Sequence, residues 1–320
     1  MASDGSGESP VFVSSRYRSG STLLWRCFRE NANFTAYYEP LNPRRWFDRS
    51  HRGSRVDATH RQVAEYWCEY CHLEETAVPW QDRWCSSDLY LPPGIPALSL
   101  LDYVNLLIST SPKRPILQFN RIDFRLHWLR RRFPDAFLVH LFRNPRDQWI
   151  STFLKGSPVG KQARVADFQE HDEFYLLPWL RDLRRYFDVL EEVDQMHPYE
   201  ASYLLWRLSG AYAQAFCDHH ISYEHFVNHP KQSLGDLGRK LGVNDLDSAE
   251  SIASIDARSV NRWRSYDDGV WFREREAFVD KLLENCMELP PLVSDFAREV
   301  TAGYAATDTR APIAAERSTQ

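Results

Sequence analysis

The sequence lacks any long hydrophobic run: no stretch approaches the ~18 consecutive apolar residues of a membrane-spanning helix. Its first ten residues, MASDGSGESP, also lack the basic start and the apolar core of a signal peptide. These two absences predict a cytoplasmic protein with no membrane span, in which the six cysteines are reduced.

Positive charge is not in excess either. The chain has 39 Lys and Arg against 44 Asp and Glu, a net charge of −5, which argues against a general binder of nucleic acid or of anionic membranes. Lysine is scarce, with six residues, so most of the cations are arginines. Arginine binds phosphate and sulfate bidentately, but GC-rich coding also raises the arginine count and is the favoured explanation.

Internal repeats and flexible linkers are also missing, and 43% hydrophobic with 26% charged residues is typical of a globular protein. This composition excludes a disordered chain, a coiled coil and a collagen-like repeat. Aromatic residues make up 14%, which predicts at least one aromatic-walled pocket. We expect a disordered leader at residues 1–10, a single α/β domain at residues 11–302 and a disordered tail at residues 303–320.

Short apolar segments alternate with helical patterns along this domain. Strands are predicted at residues 11–15, 34–38, 115–119, 136–142 and 221–226; helices are predicted after residue 20, over about 11 residues between Phe124 and Phe133, after Asn144, at residues 198–219 and before Gly242. The alternation predicts a P-loop-like central parallel sheet of four to five strands with helices on both faces. Residues 42–111 break the rhythm and are rich in aromatic residues and proline, so we expect an insertion over the end of the sheet where binding loops usually lie.

The first predicted strand is followed by S-R-Y-R-S-G-S-T and then by a helix, which is the layout of a phosphate-binding loop. Gly20 allows close approach of the backbone, and Ser19, Ser21 and Thr22 supply hydroxyl groups. A nucleotide-triphosphatase loop would have lysine where Ser21 stands, so Arg18 is expected to neutralise charge on a bridging or leaving oxygen. The structural alternative is an ordinary strand-to-helix turn with a Ser/Thr cap.

A second candidate anion site lies in L-V-H-L-F-R-N-P-R-D-Q-W-I-S. Arg143 ends the fourth strand, and Ser151 is expected about two turns into the following helix, moderately near the face of residue 143. Lys155 lies one turn further, on the face of Ser151. These residues predict a phosphate clamp at the carboxyl ends of the strands, the alternative being surface residues that flank a helix start.

Together the two segments resemble the sulfotransferase family that uses 3′-phosphoadenylyl sulfate. R-S-G-S-T-L-L, which includes Leu23, resembles the 5′-phosphosulfate loop of that family in the arginine form of carbohydrate, tyrosylprotein and bacterial members. R-N-P-R-D-x-x-x-S, with Arg143 and Ser151 at its ends, resembles the 3′-phosphate motif. I-S-Y-E-H-F-V-N-H-P is similar to a segment whose tyrosine lies near the adenine, which carries over to Tyr223. S-V-N-R-W-R-S-Y, with Ser259 and Arg262, is like the late segment that closes over the nucleotide in several members.

The resemblance implies an enzyme that transfers a sulfuryl group in line from 3′-phosphoadenylyl sulfate to a hydroxyl of a carbohydrate, lipid or small metabolite, without a metal. The other product is adenosine 3′,5′-bisphosphate. Where the small-molecule branch of the family has a K-T-H strand end, this chain has Gln118-Phe119-Asn120-Arg121. Glu39, from a second strand expected to end beside the first, is therefore the candidate base, and Asn120 and Arg121 are candidate contacts of the acceptor or the sulfate. A structural Glu39 paired with Arg18 is the alternative to the base, and a structural role is an equal alternative for Asn120 and Arg121.

Other interpretations are weaker. A P-loop kinase for small molecules is disfavoured by Ser21, and a non-catalytic nucleotide-binding protein on the same fold is the alternative from another class. Zinc sites use the residue types of Cys68, Cys71, His72 and Cys85. The favoured interpretation is that Cys68 and Cys71 are a pair of buried thiols one turn apart on a helix.

Overall fold

The computed structural model describes residues 9–52, 65–74, 76–92, 94–153, 159–248, 255 and 260–285. Its centre is a five-stranded parallel sheet of order β2-β3-β1-β4-β5, which confirms the predicted fold class. Lys155, Ser259, the predicted tail and all but the last two residues of the predicted leader lie outside the described residues.

The strands are β1 (Val11–Ser15), β2 (Phe34–Tyr38), β3 (Arg114–Phe119), β4 (Phe137–Phe142) and β5 (His219–Ser222). Every residue of β1 and β2 is buried, as expected for strands covered on both faces. β3 lies between β1 and β2, so the expectation that the second strand ends beside the first is wrong. The crossover from β1 to β2 skips one strand position, which β3 later fills.

The helices are α1 (Ser21–Glu30), α2 (Leu98–Ser109), α3 (Leu126–Arg132), α4 (Pro145–Ile150), α5 (Leu176–Leu183), α6 (Pro198–Phe216), α7 (Tyr223–Asn228), α8 (Pro230–Leu241) and α9 (Val270–Glu284). Local sequence explains several of their ends. The Asn144 side chain caps α4, whose first residue is proline, and His197 forms a capping box with Glu200 at the start of α6. Gly242, with a φ of 69°, ends α8.

Several predicted boundaries are wrong. β3 begins one residue earlier than predicted, β4 one residue later and β5 two residues earlier. The fifth strand ends at Ser222, because the Ser222 side chain caps α7, and Tyr223 therefore begins a helix. The helix predicted between Phe124 and Phe133 begins as a 3₁₀ turn at Asp123–Arg125 and continues as α3. The long helix α6 ends at Phe216, because the next residue is extended and leads into β5.

Within the predicted insertion at residues 42–111, the described residues form α2 and the 3₁₀ turns Cys68–Leu73 and Asp82–Cys85. The insertion packs onto the turn that follows β2. The hydroxyl of Tyr70 donates to the Tyr38 carbonyl at 3.0 Å, and the hydroxyl of Tyr103 donates to the Pro40 carbonyl at 2.8 Å. The insertion therefore holds the backbone on both sides of residue 39.

Candidate active site

Residues that follow different strands meet at the carboxyl edge of the sheet. In the order of the strands across the sheet, they are Glu39 after β2, Asn120 after β3, the loop of residues 16–20 after β1, Arg143 after β4 and Tyr223 after β5. They therefore form one row with the loop at its centre. Neighbouring strands lie about 4.8 Å apart, so about two spacings, roughly 10 Å, separate the end of β2 from the loop. Ligands of open α/β sheets bind at this edge.

The loop turns into α1 at Gly20, whose φ of 92° lies in the left-handed region. Ser21 is the first residue of the helix, and the Leu23 amide donates to the Gly20 carbonyl at 3.0 Å. The ring of Tyr223 covers Gly20 so closely that an added Cβ would lie 2.2 Å from Cδ2 and 2.3 Å from Cε2. Glycine is therefore required here by conformation and by space, and the start of α1, with its positive dipole, lies next to the Tyr223 ring.

Two arginines border the loop. Arg143 Nη1 donates to the Arg18 carbonyl at 3.0 Å, and Arg18 Nε donates to the Ser151 carbonyl at 2.9 Å. The Arg143 guanidinium also lies over the Tyr223 ring, 4.8 Å from its centroid. The structure thus brings Arg18, Arg143, Ser151 and Tyr223 together around Gly20, and the two cations suit a ligand with two anionic groups.

Ser151 has a different place from the predicted one. The helix α4 has six residues, and Ser151 is its C-terminal cap rather than a residue two turns inside it. Its hydroxyl donates to the Gln148 carbonyl at 2.8 Å, a local bond that is common for serine at a helix end. In this conformation the carbonyl of Ser151 contacts Arg18, and its hydroxyl proton is directed to the helix.

The loop hydroxyls also have partners within the protein. Ser19 Oγ donates to the Arg16 carbonyl at 2.7 Å, so its single proton stabilises the turn instead of pointing to a ligand. Thr22 Oγ1 lies 2.9 Å from the Tyr38 hydroxyl, within hydrogen-bond distance. Ser19 and Thr22 therefore direct their hydroxyl groups to protein partners in this conformation.

Glu39 is buried, 7% exposed, and held by side-chain donors. Asn120 Nδ2 donates to Oε1 at 2.5 Å, and Asn42 Nδ2 donates to Oε2 at 2.6 Å. Arg121 Nη1 lies 3.5 Å from Oε2, so Arg121 is the cation paired with Glu39 within the described part of the chain. A carboxylate offers about four acceptor positions, so these three donors leave capacity to accept a proton from a ligand.

Arg18 and Glu39 share an uncommon backbone conformation. Their φ angles are 65° and 39°, and this region costs a residue other than glycine about 1–3 kcal/mol. The bond from Arg143 to the Arg18 carbonyl, and the insertion's bonds beside residue 39, hold the two turns in place. Such strain persists only where the surroundings enforce it, and it is concentrated at functional sites.

Arg121 connects Glu39 to the loop. Its guanidinium lies 4.8 Å from the centroid of the Tyr17 ring and 5.3 Å from that of Tyr175, and its Nε donates to the Cys85 carbonyl at 3.1 Å. Burial lowers the pKa of Arg121, but Tyr17 and then Glu39 act in the opposite direction, and the pKa is raised above its usual value. Arg121 therefore stays charged between the loop and the carboxylate.

The late motif lies beside α4. Asp147 accepts hydrogen bonds from the amides of Asn261 and Trp263, at 2.6 and 3.0 Å. Arg262 begins a short 3₁₀ helix in this segment and is exposed. The structure thus places Arg262 at the surface, next to the helix α4 that carries the R-N-P-R-D motif.

Sequence analysis missed several residues of this region. Asn42 closes a turn with the Glu39 carbonyl, 2.9 Å from its amide, and the pattern E-P-L-N indicates such a turn. Gln148 Nε2 donates to the Tyr17 carbonyl at 2.5 Å, and both residues stand within the quoted motifs. Tyr175 comes from a distant segment, and no local pattern indicates its contact with the loop.

The cysteine cluster differs from its expected environment. Cys68 and Cys71 lie on a 3₁₀ turn but are exposed, and only Cys85 of the three is buried, so the expectation of a buried thiol pair is wrong. Among the described residues, no group of three or more His, Cys, Asp or Glu is arranged to hold a metal ion. In the same part of the chain, no helix combines the length and the apolarity needed to span a bilayer.

Comparison with known proteins adds a family match. Residues 10–247 match the model of a family described as "Sulfotransferase family". Similar solved structures include the sulfotransferase domain of the Synechococcus PCC 7002 olefin synthase (16% identity, 98% of this chain and 100% of that chain covered, TM-score 0.44). Another is sulfotransferase STF9 from Mycobacterium avium (14% identity, 95% of this chain and 78% of that chain covered, TM-score 0.43). No curated protein matches the sequence.

Proposed function

Because the chain belongs to the sulfotransferase family, we propose that it transfers a sulfuryl group from 3′-phosphoadenylyl sulfate to an acceptor hydroxyl. The bond between sulfur and the 5′-phosphate oxygen breaks, a bond between sulfur and the acceptor oxygen forms, and the acceptor proton passes to a base. The donor supplies the sulfuryl group and leaves as adenosine 3′,5′-bisphosphate. As in phosphoryl transfer, the protein contributes mainly positioning and charge stabilisation.

The observation that carries this proposal is the row of groups across the carboxyl edge of the sheet. The cationic loop lies at its centre, Arg143 and Tyr223 lie on one side, and Glu39 lies on the other. This order suits a nucleotide with two anionic groups whose reacting end is directed toward Glu39. The close cover of Gly20 by Tyr223 is consistent with a loop whose backbone must approach its ligand.

The nucleotide-binding roles follow from the same positions. Arg18 and the start of α1, at Ser21 and Thr22, bind the 5′-phosphate and stabilise the negative charge that grows on its oxygen. Arg143 binds the 3′-phosphate, and Ser151 joins it when its hydroxyl turns away from the helix. Further nucleotide contacts are proposed for Tyr223, Lys155, Ser259 and Arg262.

Glu39 is the proposed base. Its two carboxylate oxygens are fixed by Asn120 and Asn42, which orients the carboxylate for proton transfer. Asn120 and Arg121 border the space between the carboxylate and the loop, so they are proposed contacts of the acceptor or of the sulfuryl group. The acceptor classes consistent with this site are carbohydrates, lipids and small metabolites.

Isothermal titration calorimetry tests the class of donor. The ligands are adenosine 3′,5′-bisphosphate, ATP with magnesium, and AMP. We expect a Kd in the micromolar range for the bisphosphate and much weaker binding of ATP and AMP. Preferential binding of ATP, or binding of none of the three, would overturn the proposed function.

A further inference from the structure

A chain of side-chain hydrogen bonds leads from the interior of the sheet to Glu39. Gln118 Nε2 donates to Asn120 Oδ1 at 2.7 Å, and Asn120 Nδ2 donates to Glu39 Oε1 at 2.5 Å. Gln118 is fully buried, and Asn120 is 5% exposed. An amide inside an apolar strand is costly to bury unless it forms hydrogen bonds. The partner of Gln118 therefore indicates what this amide contributes.

The sheet brings the three side chains together. Gln118 belongs to β3 and Asn120 follows two residues later, so the two side chains lie on the same face of the strand. Tyr38 of β2 pairs in register with Gln118, so the next residue, Glu39, lies beside the end of β3. The Asn120 amide therefore lies between the buried Gln118 and the carboxylate.

Only one orientation of the Asn120 amide suits both neighbours. An ionised carboxylate accepts hydrogen bonds and cannot donate them, so the NH2 group of Asn120 must face Glu39. The carbonyl oxygen of Asn120 then faces the interior and needs a donor, which is the NH2 group of Gln118. If the Asn120 amide turned over, its oxygen would face the carboxylate and its NH2 group would face that of Gln118. Gln118 therefore fixes the orientation of the amide that holds Glu39.

Ser15 is a weaker partner of the same amide. Its hydroxyl lies 3.3 Å from Asn120 Oδ1 and 3.2 Å from the Phe119 carbonyl, so its single proton is shared between two acceptors. Gln118 Nε2 also donates to Ser15 Oγ, at 3.2 Å. The bond from Gln118 to Asn120 Oδ1, at 2.7 Å, is shorter than the bond from Ser15. We therefore expect Gln118 to have the larger effect on Asn120.

We propose that Gln118 is a positioning residue for sulfuryl transfer, which acts through Asn120 on the Glu39 carboxylate. Because Gln118 is fully buried, it contacts neither the nucleotide nor the acceptor. Its contribution is that the base is already oriented when the acceptor binds, and small errors of orientation slow a reaction strongly. The proposal rests on the proposed function and deepens it, because it adds a residue on which the orientation of the base depends.

Gln118→Met tests the proposal, since methionine is an unbranched side chain of similar length without the amide. Ser111→Ala is the matched control: Ser111 is buried shortly before β3, and its hydroxyl donates to the Lys113 carbonyl at 2.6 Å. The assay measures transfer of a radiolabelled sulfuryl group from 3′-phosphoadenylyl sulfate to the hydroxyl acceptor on which wild-type protein is most active. Gln118→Met should lower kcat about tenfold and change the Kd of adenosine 3′,5′-bisphosphate less than about threefold. Ser111→Ala should change neither.

A comparison of two backgrounds separates positioning from a structural role. Because Gln118 acts through Asn120, Gln118→Met should lower kcat about tenfold in the wild-type background and less than about twofold in the Asn120→Ala background. Gln118→Leu lacks the amide in a different shape and should show the same dependence on Asn120.

Three results would overturn the proposal and leave the proposed function standing. They are an unchanged kcat in Gln118→Met, an equal loss of kcat in both backgrounds, and failure of both Gln118 variants to fold, which would show a structural role. Wild-type protein that transfers no label to any carbohydrate, lipid or small-molecule hydroxyl would overturn the proposed function and this proposal with it.

Discussion

Replacing Arg143 by alanine should remove most of the selectivity for a 3′-phosphate. Arg143 is 5% exposed, and its guanidinium is held between the Arg18 carbonyl, 3.0 Å from Nη1, and the ring of Tyr223. A hydrogen bond to a charged group contributes about 1.5–3 kcal/mol, so the Kd of adenosine 3′,5′-bisphosphate should rise about 10- to 150-fold. The Kd of AMP, which has no 3′-phosphate, should rise less than about threefold.

Arg146→Ala is the matched control for Arg143→Ala. Arg146 belongs to the same motif, but its Nε and Nη2 donate to the Glu276 carboxylate at 2.8 and 2.7 Å, and it lies over the Trp263 ring. This variant should lose thermal stability and keep the wild-type ratio of the two Kd values. Titration calorimetry with both nucleotides measures that ratio for each variant. Equal losses for the bisphosphate and AMP in Arg143→Ala would refute the assignment of the 3′-phosphate to Arg143.

Three further predictions concern the base, the loop and a core histidine. Glu39→Gln should lower bisphosphate release from the donor about 10²- to 10⁴-fold with little change in nucleotide affinity; near-normal turnover would remove Glu39 as the base. Gly20→Ala should abolish bisphosphate binding, because its Cβ would lie 2.2 Å from the Tyr223 ring. The control Gly242→Ala should only reduce stability, because Gly242 has a φ of 69° but no atom within 4 Å of an added Cβ. Bisphosphate binding retained by Gly20→Ala would contradict the loop geometry. Burial lowers the pKa of His140 to about 3, so the unfolded chain takes up a proton below pH ~6.5 that the folded protein excludes, and stability falls as the pH falls. Urea unfolding should show that His140→Asn removes about 2 kcal/mol of the loss between pH ~6.5 and ~5; an unchanged pH slope would contradict a neutral buried His140.

Sequence patterns predict those parts of the fold that depend on local residues. The strands Val11–Ser15 and Phe34–Tyr38 have the predicted bounds, because runs of about five residues between turn residues have the length of a strand and are short for a helix. The helix α7 begins at Tyr223 because the Ser222 side chain caps it. The apolar residues that continue from β5 would also suit a strand, so the sequence pattern alone does not place this boundary. The position of β3 between β1 and β2 is a matter of topology, which spacing along the chain does not determine.

In the candidate site, too, contacts between residues near in the chain could be predicted, and contacts between distant segments could not. The loop around Gly20 could be predicted because the strand, the turn and the helix are consecutive in the chain. The partners of Glu39 could not, because Asn120 and Arg121 reach it from another strand. The contact of Tyr175 with the loop residue Tyr17 is also long-range, and it depends on how the start of α5 packs against the sheet.

The most direct test of sulfuryl transfer follows a radiolabelled sulfuryl group from 3′-phosphoadenylyl sulfate. Wild-type protein and Glu39→Gln are incubated with the labelled donor and a panel of carbohydrate, lipid and small-molecule hydroxyl acceptors. We predict that wild-type protein moves the label to an acceptor, with one adenosine 3′,5′-bisphosphate released for each group transferred, and that Glu39→Gln does so about 10²- to 10⁴-fold more slowly. Label that stays on the nucleotide across the whole panel, or phosphate transfer from ATP and magnesium in its place, would contradict the proposed function.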